Sequence, residues 1–276
     1  MSFTYRRSYR GPVRAVIFDW AGTTVDYGST APAVTFVQLF EQRGVPVTVE
    51  EARGPMGAHK KVHIRKMAEM PAVAQRWKDA HGEPCGEDDV ESMFQEFVPL
   101  LLKCLGDHAD LIPGTLDAVT ALRERGCRIG STTGYSAEMM ELVRPEAKRR
   151  GYEPDAVACV SDVPAGRPAP WMCLRNAEAL GVFPLEACVK VGDTVPDVEE
   201  GLNAGMWTIA VARTGNEMGL SEAEVAALEP DERTARLARA RRRLAQGGAH
   251  YVVDTIAQVP AVVGEIEARL RAGERP

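Results

Sequence analysis

The chain has 276 residues, 45% hydrophobic and 26% charged, a composition of ordinary globular proteins and a length for one large or two modest domains. A net charge of −6 without domain-wide basic bias argues against nucleic-acid binding. No apolar run reaches membrane-spanning length, and the basic start MSFTYRRSYRGP lacks the apolar stretch of a signal peptide, which together point to the cytoplasm. In chain order, strands are predicted at Val13–Phe18, Cys127–Thr133, Ala156–Val160, Cys188–Val191, Thr208–Ala212 and Tyr251–Val253. Helices are predicted between them at Gly114–Arg125, Ala137–Arg149, Trp171–Leu180 and Val195–Ala204. That alternation means βαβ units and a doubly wound parallel sheet covered on both faces.

The stretch from Ala31 to Cys104 breaks the rhythm. Its segments Ala33–Arg43, His59–Met70, Ala72–His81 and Asp88–Leu105 all carry helical periodicity, with no strand among them. A helical insertion directly after the first strand reads as a cap over the mouth of the sheet. The expected division is an α/β core of residues 1–27 and 107–276, with a cap of residues 28–106. Tyr27–Pro32 and Gly106–Gly114 are then the linkers. The stretch Ser221–Gly248 is helical and charged; its Arg239, Arg241, Arg242 and Arg243 read as a solvated face. Six cysteines (Cys85, Cys104, Cys127, Cys159, Cys173, Cys188) are scattered without a CxxC pair and read as reduced thiols.

Four polar clusters each follow a predicted strand: Asp19-Trp-Ala-Gly-Thr, Ser131-Thr-Thr-Gly-Tyr135, Asp162-Val-Pro-Ala-Gly-Arg-Pro168 and Gly192-Asp-Thr-Val-Pro-Asp197. In a doubly wound sheet they converge on one crevice at the carboxyl ends of the strands. They bring carboxylates, a hydroxyl, a guanidinium and a helix N-terminus. That set suits a phosphoryl group with one Mg²⁺. Asp19 is placed to attack an electrophile or hold a cation. Thr194 is a better helix cap than Asp193, which frees Asp193 for a metal. Asp197, in the first helical turn, either serves the site or complements the helix dipole. Asp162 organises the turn before Arg167. Ser131 and Thr132 share candidacy with Thr133.

The order of these clusters resembles the haloacid dehalogenase superfamily of phosphoryl-transfer enzymes. The resemblance implies that Asp19 is the nucleophile and forms an aspartyl-phosphate. It implies that Thr133 binds phosphate, and that Arg167, where Lys is usual, stabilises the phosphoryl oxygens. Asp193 becomes a Mg²⁺ ligand and Asp197 supports the metal, directly or through a water. The position two after the nucleophile, an acid in the superfamily's phosphatases and mutases, is Ala21 here. Ala21 has no proton to give, but its carbonyl still reaches the metal. A carbon leaving group would need no such acid: it needs an electron sink, which a lysine imine supplies.

Four segments carry a closer resemblance, to the phosphonatase family: FDWAGTTVDYG; PMG followed by Lys60 and His63; GSTTGY; and DVPAGRPAPWM with KVGDTVPD. It implies hydrolysis of the P–C bond of phosphonoacetaldehyde to acetaldehyde and phosphate, within breakdown of 2-aminoethylphosphonate. Lys60 would form the Schiff base, with Lys61 as the fallback, and Asp19 would then take the phosphoryl group. Lys60 and His63, three apart, share a helix face. Met56 packs at the reacting centre, His63 acts near Lys60 through a water, and Gly57, Tyr135 and Thr194 belong to the substrate pocket. Ser29 stands where some members carry Cys. The family also implies a homodimer, to which Trp77, Trp171 and Trp207 are candidate contributors. Two rivals stand beside this reading. A phosphate-ester phosphatase or phosphomutase would not depend on Lys60, and a non-catalytic phosphate-binding protein would bind without turnover.

Overall fold

The computed structural model describes residues 8–105 and 110–276. Six parallel strands form one sheet in the order β3-β2-β1-β4-β5-β6. They are β1 (Ala15–Phe18), β2 (Arg128–Thr133), β3 (Ala156–Cys159), β4 (Cys188–Gly192), β5 (Trp207–Val211) and β6 (Tyr251–Val253). Each predicted strand is present, shifted by no more than two residues at either end. β1, β4 and β5 are buried along their whole length, which is why they read as continuous apolar runs rather than alternating ones.

The strand order reverses between β1 and β4, so the chain leaves the sheet in opposite directions from these neighbours. Ligands of doubly wound sheets bind at such a point. Phe18 at the end of β1 is in register with Ser131 of β2 and Val191 of β4. The Asp19 backbone N–H extends the pairing by donating to Val191 O at 2.8 Å. Asp19 is thereby pinned at the switch point.

Five helices follow β1: α1 (Thr30–Glu41), α2 (Val49–Arg53), α3 (Lys60–Ala68), α4 (Pro71–His81) and α5 (Glu87–Leu105). Four were predicted. The fifth, α2, has too few residues to show a period, and its capping box (Thr48 with Glu51) is its only sequence signal. α1 and α3 pack on α5, and Phe36, Phe40, Ile64, Met67, Trp77, Met93 and Phe97 bury completely or almost so between these helices. This is the inserted helical cap.

The linker into the cap has an unusual backbone. Asp26 (φ 54°) and Ser29 (φ 49°) are both left-handed although neither is glycine. The Asp26 carboxylate accepts hydrogen bonds from Thr30 N, Thr30 Oγ1 and Ala31 N, capping α1 from four residues upstream. α1 starts at Thr30, earlier than periodicity indicated. Part of the return linker, Gly106 onward, and the predicted boundary at 106/107 lie outside the described residues.

The remaining helices are α6 (Thr115–Glu124), α7 (Ala137–Arg149), α8 (Trp171–Ala179), α9 (Val195–Asn203), α10 (Glu222–Ala227), α11 (Pro230–Gln246) and α12 (Val259–Arg271). The charged stretch after Ser221 is two helices, broken around Leu228. Arg239, Arg241, Arg242 and Arg243 are exposed on α11, with Arg241 paired to Asp254 and Arg243 to Glu217. The apolar period of α12 was not anticipated. Cys85, Cys127, Cys159, Cys173 and Cys188 are free thiols. No helix among the described residues is long and apolar enough to cross a membrane.

Candidate active site

The carboxyl ends of β1, β2 and β4 and the cap segment before α3 enclose a cavity of about 30 Å³. Asp19, Ala21, Thr133, Tyr135, Arg167, Asp193 and Thr194 line it from the core, and Ser29, Met56, Gly57 and Lys60 from the linker and cap. The predicted residues thus come together, except His63 and Asp197, which stand just behind. Cap and core approach closely at Gly57 (φ 90°): a Cβ there would lie 2.5 Å from Thr194 Oγ1.

The core side is a lattice of buried charge. Arg167 Nη2 donates to Asp19 Oδ1 at 2.6 Å and to Thr132 Oγ1 at 2.8 Å. Its Nε donates to Glu200 Oε2 at 3.0 Å, and its Nη1 lies 3.1 Å from Asp197 Oδ1. Lys190 Nζ donates to Asp197 Oδ1 at 2.7 Å and to Thr132 Oγ1 at 2.9 Å, and lies 3.4 Å from Glu200 Oε2. Arg167 is buried, which alone would weaken its charged form, but Asp19, Asp197 and Glu200 together hold its pKa well above the usual value. Burial would likewise raise the Asp197 carboxyl, yet Arg167 and Lys190 hold it below its ordinary range.

Asp193 is held differently. Its Oδ1 accepts from Thr23 Oγ1 at 3.1 Å and its Oδ2 from Asn216 N at 2.7 Å. It lies against Gly22 (φ 85°), where a Cβ would come within 2.3 Å of Oδ2. Among the described residues it makes no ion pair. Burial, then Asp19 and Asp197, push its pKa well up. Ligand atoms of Asp19, Asp193 and Asp197 lie within 4.8 Å of one another. Among the described residues, the buried carboxylates Asp19, Asp197 and Glu200 pair with the cations Arg167 and Lys190. The carboxylates outnumber their paired cations, and a divalent cation among them would supply the missing positive charge. An all-oxygen donor set suits a hard one.

Thr194 caps α9. Its hydroxyl accepts from Asp197 N, while the Asp197 carboxylate accepts from the Thr194 N–H and hydroxyl. Asp197 therefore caps the helix and joins the charge lattice at once. Asp162 Oδ2 accepts from Cys159 N at 2.8 Å, organising the turn before Arg167. Thr133 Oγ1 accepts from Tyr135 N at 3.1 Å and faces the cavity, whereas Thr132 points into the lattice.

The cap side is nearly apolar. Lys60, at the first turn of α3, is 5% exposed, and its Nζ lies over the rings of Phe36 and Tyr135, 5.7 and 5.5 Å from their centroids. Burial lowers its pKa to about 8, with Asp19 opposing that shift. Lys61 points elsewhere, donating to Glu91 of α5 at 2.5 Å. His63 is buried and stacks on Phe36 at 3.7 Å. Its Nε2 lies 2.7 Å from Ala52 O, so that nitrogen carries the proton and Nδ1 is bare. Burial, then Lys60, hold its pKa well below normal, so the ring is neutral.

Four residues of this region were not read from sequence. Lys190 is flanked by Val189 and Val191 inside an apolar strand, where an unpaired lysine would be costly. Glu200 lies three residues after Asp197 and so on the same face of α9. Either signal could have been used. Arg53 and Asn216 had none. Arg53 Nη1 donates to Gly28 O at 2.6 Å and Asn216 Oδ1 at 3.3 Å, tying α2 to the linker and to the loop that holds Asp193.

A family profile described as haloacid dehalogenase-like hydrolase matches residues 13–205. The chain is 52% identical over 274 residues to a phosphonoacetaldehyde hydrolase of Nitratidesulfovibrio vulgaris, covering 99% of this chain and 98% of that one. It is 45% identical over 262 residues to a bifunctional phosphonoacetaldehyde hydrolase/aminoethylphosphonate transaminase of Clostridioides difficile, covering 95% of this chain and 41% of that one. The crystal structure of a phosphonoacetaldehyde hydrolase-like protein from Oleispira antarctica matches with a TM-score of 0.97 at 40% identity over the full length of both chains. Likeness of this extent in sequence and in backbone places the chain in the phosphonoacetaldehyde hydrolase family of the haloacid dehalogenase-like hydrolases.

Proposed function

We propose that the chain hydrolyses the P–C bond of phosphonoacetaldehyde through an imine on Lys60 and an aspartyl-phosphate on Asp19. The observation that carries this reading is the sharing of one cavity by a charge-suppressed amine and a guanidinium-bound carboxylate. The free Lys60 amine attacks the aldehyde carbon. A C–N bond forms, and the carbonyl oxygen leaves as water carrying one proton from the amine and one from solvent, while the other amine proton stays on nitrogen as the iminium. An Asp19 oxygen then attacks phosphorus. As the O–P bond forms the P–C bond breaks, and its electron pair moves through carbon to the iminium nitrogen, giving an enamine. Protonation at carbon and addition of water release acetaldehyde and the amine. A second water cleaves the aspartyl-phosphate to phosphate and Asp19.

Each residue has a part. Arg167 stabilises the phosphoryl oxygens, and the Thr133 hydroxyl with the α9 N-terminus at Thr194 receives them. Met56 and Tyr135 enclose the carbon end, Gly57 permits the close approach of cap and core, and His63 backs the Lys60 pocket. Ala21 is tolerated because the leaving group is carbon and departs into nitrogen rather than as an oxyanion needing a proton. Asp19, Asp193 and the Ala21 carbonyl would hold Mg²⁺, supported by Asp197; bound there, it supplies charge neutralisation and polarises the phosphoryl group.

Residues 28–106 act as the cap and 1–27 with 107–276 as the core, closing over the substrate to exclude water. The C. difficile relative's name supports a place in aminoethylphosphonate breakdown. Free thiols at the five described cysteines support a cytoplasmic protein. For a homodimer, Trp77 and Trp207 are unavailable, being buried in the core, whereas Trp171 is 46% exposed.

Borohydride trapping with phosphonoacetaldehyde and Mg²⁺, followed by peptide mass mapping, tests the mechanism. A reduced adduct on Lys60 with loss of activity is expected. Full activity surviving borohydride, with no adduct, would refute the imine and favour an ester phosphatase.

A further inference from the structure

The pocket that makes the Lys60 ammonium easier to discharge poses a chemical problem. Burial disfavours every cation, and the iminium that must accept the electrons of the breaking bond is a cation too. Among the described residues no carboxylate makes a salt bridge or hydrogen bond with Lys60. A carboxylate touching the nitrogen would restore the ammonium and remove the nucleophile. Two aromatic rings lie close to the nitrogen, and the Asp19 carboxylate in the same cavity acts on it without a direct ion pair. Phe36 of α1 and Tyr135, after β2, place their rings 5.7 and 5.5 Å from Nζ, within the range of cation–π attraction.

Phe36 is not free to turn away. Its ring is completely buried, stacked on His63 at 3.7 Å (interplanar 20°) and on Phe97 at 4.4 Å (interplanar 26°). With its Nε2 proton donated to Ala52 O, His63 presents a neutral ring to Phe36. An imidazolium in that position would oppose a cation at Lys60.

Resting on the Schiff-base reading, we propose that Phe36 and Tyr135 form a two-ring box that stabilises the iminium on Lys60, with His63 and Phe97 fixing the Phe36 ring. The box supports positive charge at the nitrogen while leaving the amine able to lose its proton near pH 8, where a touching carboxylate would hold it. It assigns Phe36 a function in the chemistry beyond filling the cap core.

The test must change the ring's electronics and not its shape, since Phe36→Leu would also disturb packing. Phenylalanine with one, two and three fluorines at position 36 weakens the negative ring face while nearly keeping its size. Borohydride trapping with phosphonoacetaldehyde at about pH 9, where the amine is already neutral, isolates the iminium. The expected result is a stepwise fall in the trapped Lys60 adduct, about five- to tenfold across the series. Inhibition by inorganic phosphate, which reads the core side, should be unchanged. A flat series overturns the proposal, as does a fall matched by equal loss of phosphate inhibition, which would mean general damage. Absence of any wild-type adduct removes the Schiff-base reading itself, and the box with it.

Discussion

Two lysines of this protein are almost fully buried and meet opposite fates. Lys190, 1% exposed, sits against Asp197 and Glu200; burial would lower its pKa, but the carboxylates carry it above normal. Lys60, 5% exposed, sits against Phe36 and Tyr135 and drops to about 8. Burial is common to both, so the partners decide. The same division separates the two halves of the site: the core fixes charges in place, while the cap makes one nitrogen easier to discharge.

The comparison breaks most visibly at the reacting groups. Lys60→Arg keeps a cation but cannot form the proposed imine, and Asp19→Asn removes the proposed nucleophile. Each should lower turnover by about 10³-fold or more, measured as acetaldehyde release. Asp19→Asn should still give a borohydride-trapped Lys60 adduct, which Lys60→Arg cannot.

Methionine at each lysine sharpens the contrast. Lys190→Met leaves Asp197 and Glu200 short of a buried partner, and stability in urea should fall by about 3–5 kcal/mol. Lys60→Met substitutes an apolar chain for an amine already in apolar surroundings. Its stability should change by less than about 1.5 kcal/mol while activity vanishes. Equal losses of stability at the two positions would erase the distinction.

Glu200→Gln keeps the shape of the group that orients Arg167 and removes its charge. The expected loss in kcat/KM is about 10- to 100-fold, with substrate trapping at Lys60 retained. A smaller effect concerns pH. Imine formation needs the free amine, and a lowered lysine pKa means the amine frees its proton near pH 8. kcat/KM should therefore rise as pH climbs through about 8 and level off above it. A profile still rising toward 10.5 would show Lys60 to be unperturbed.

Most of this arrangement was legible in the sequence because a parallel sheet converts order along the chain into proximity. Asp19, Thr133, Arg167 and Asp193 each follow a strand, so the fold had only one crevice in which to gather them. Pairing across distant segments was not legible. Lys190 and Glu200 were hidden because a sequence does not show which buried charges meet, although strand and helix periodicity held the clues. Arg53 and Asn216 meet across the cap boundary from segments 163 residues apart, and no local pattern encodes that contact. Phe36 carried no functional signal in the sequence, and only the position of Lys60 Nζ above its ring points to one.

The linker before α1 also acts as a spring. Left-handed Asp26 and Ser29, at the entry to the cap, carry a backbone penalty of order 1–3 kcal/mol for each such residue. The closing contacts of Arg53 and Gly57 must outweigh that opposing force. Ser29→Gly relaxes the spring. The expected outcome is a lid that lingers shut, with kcat and KM falling together and phosphate release slowed in pre-steady-state measurements; unchanged release would mean the strain has no part in opening.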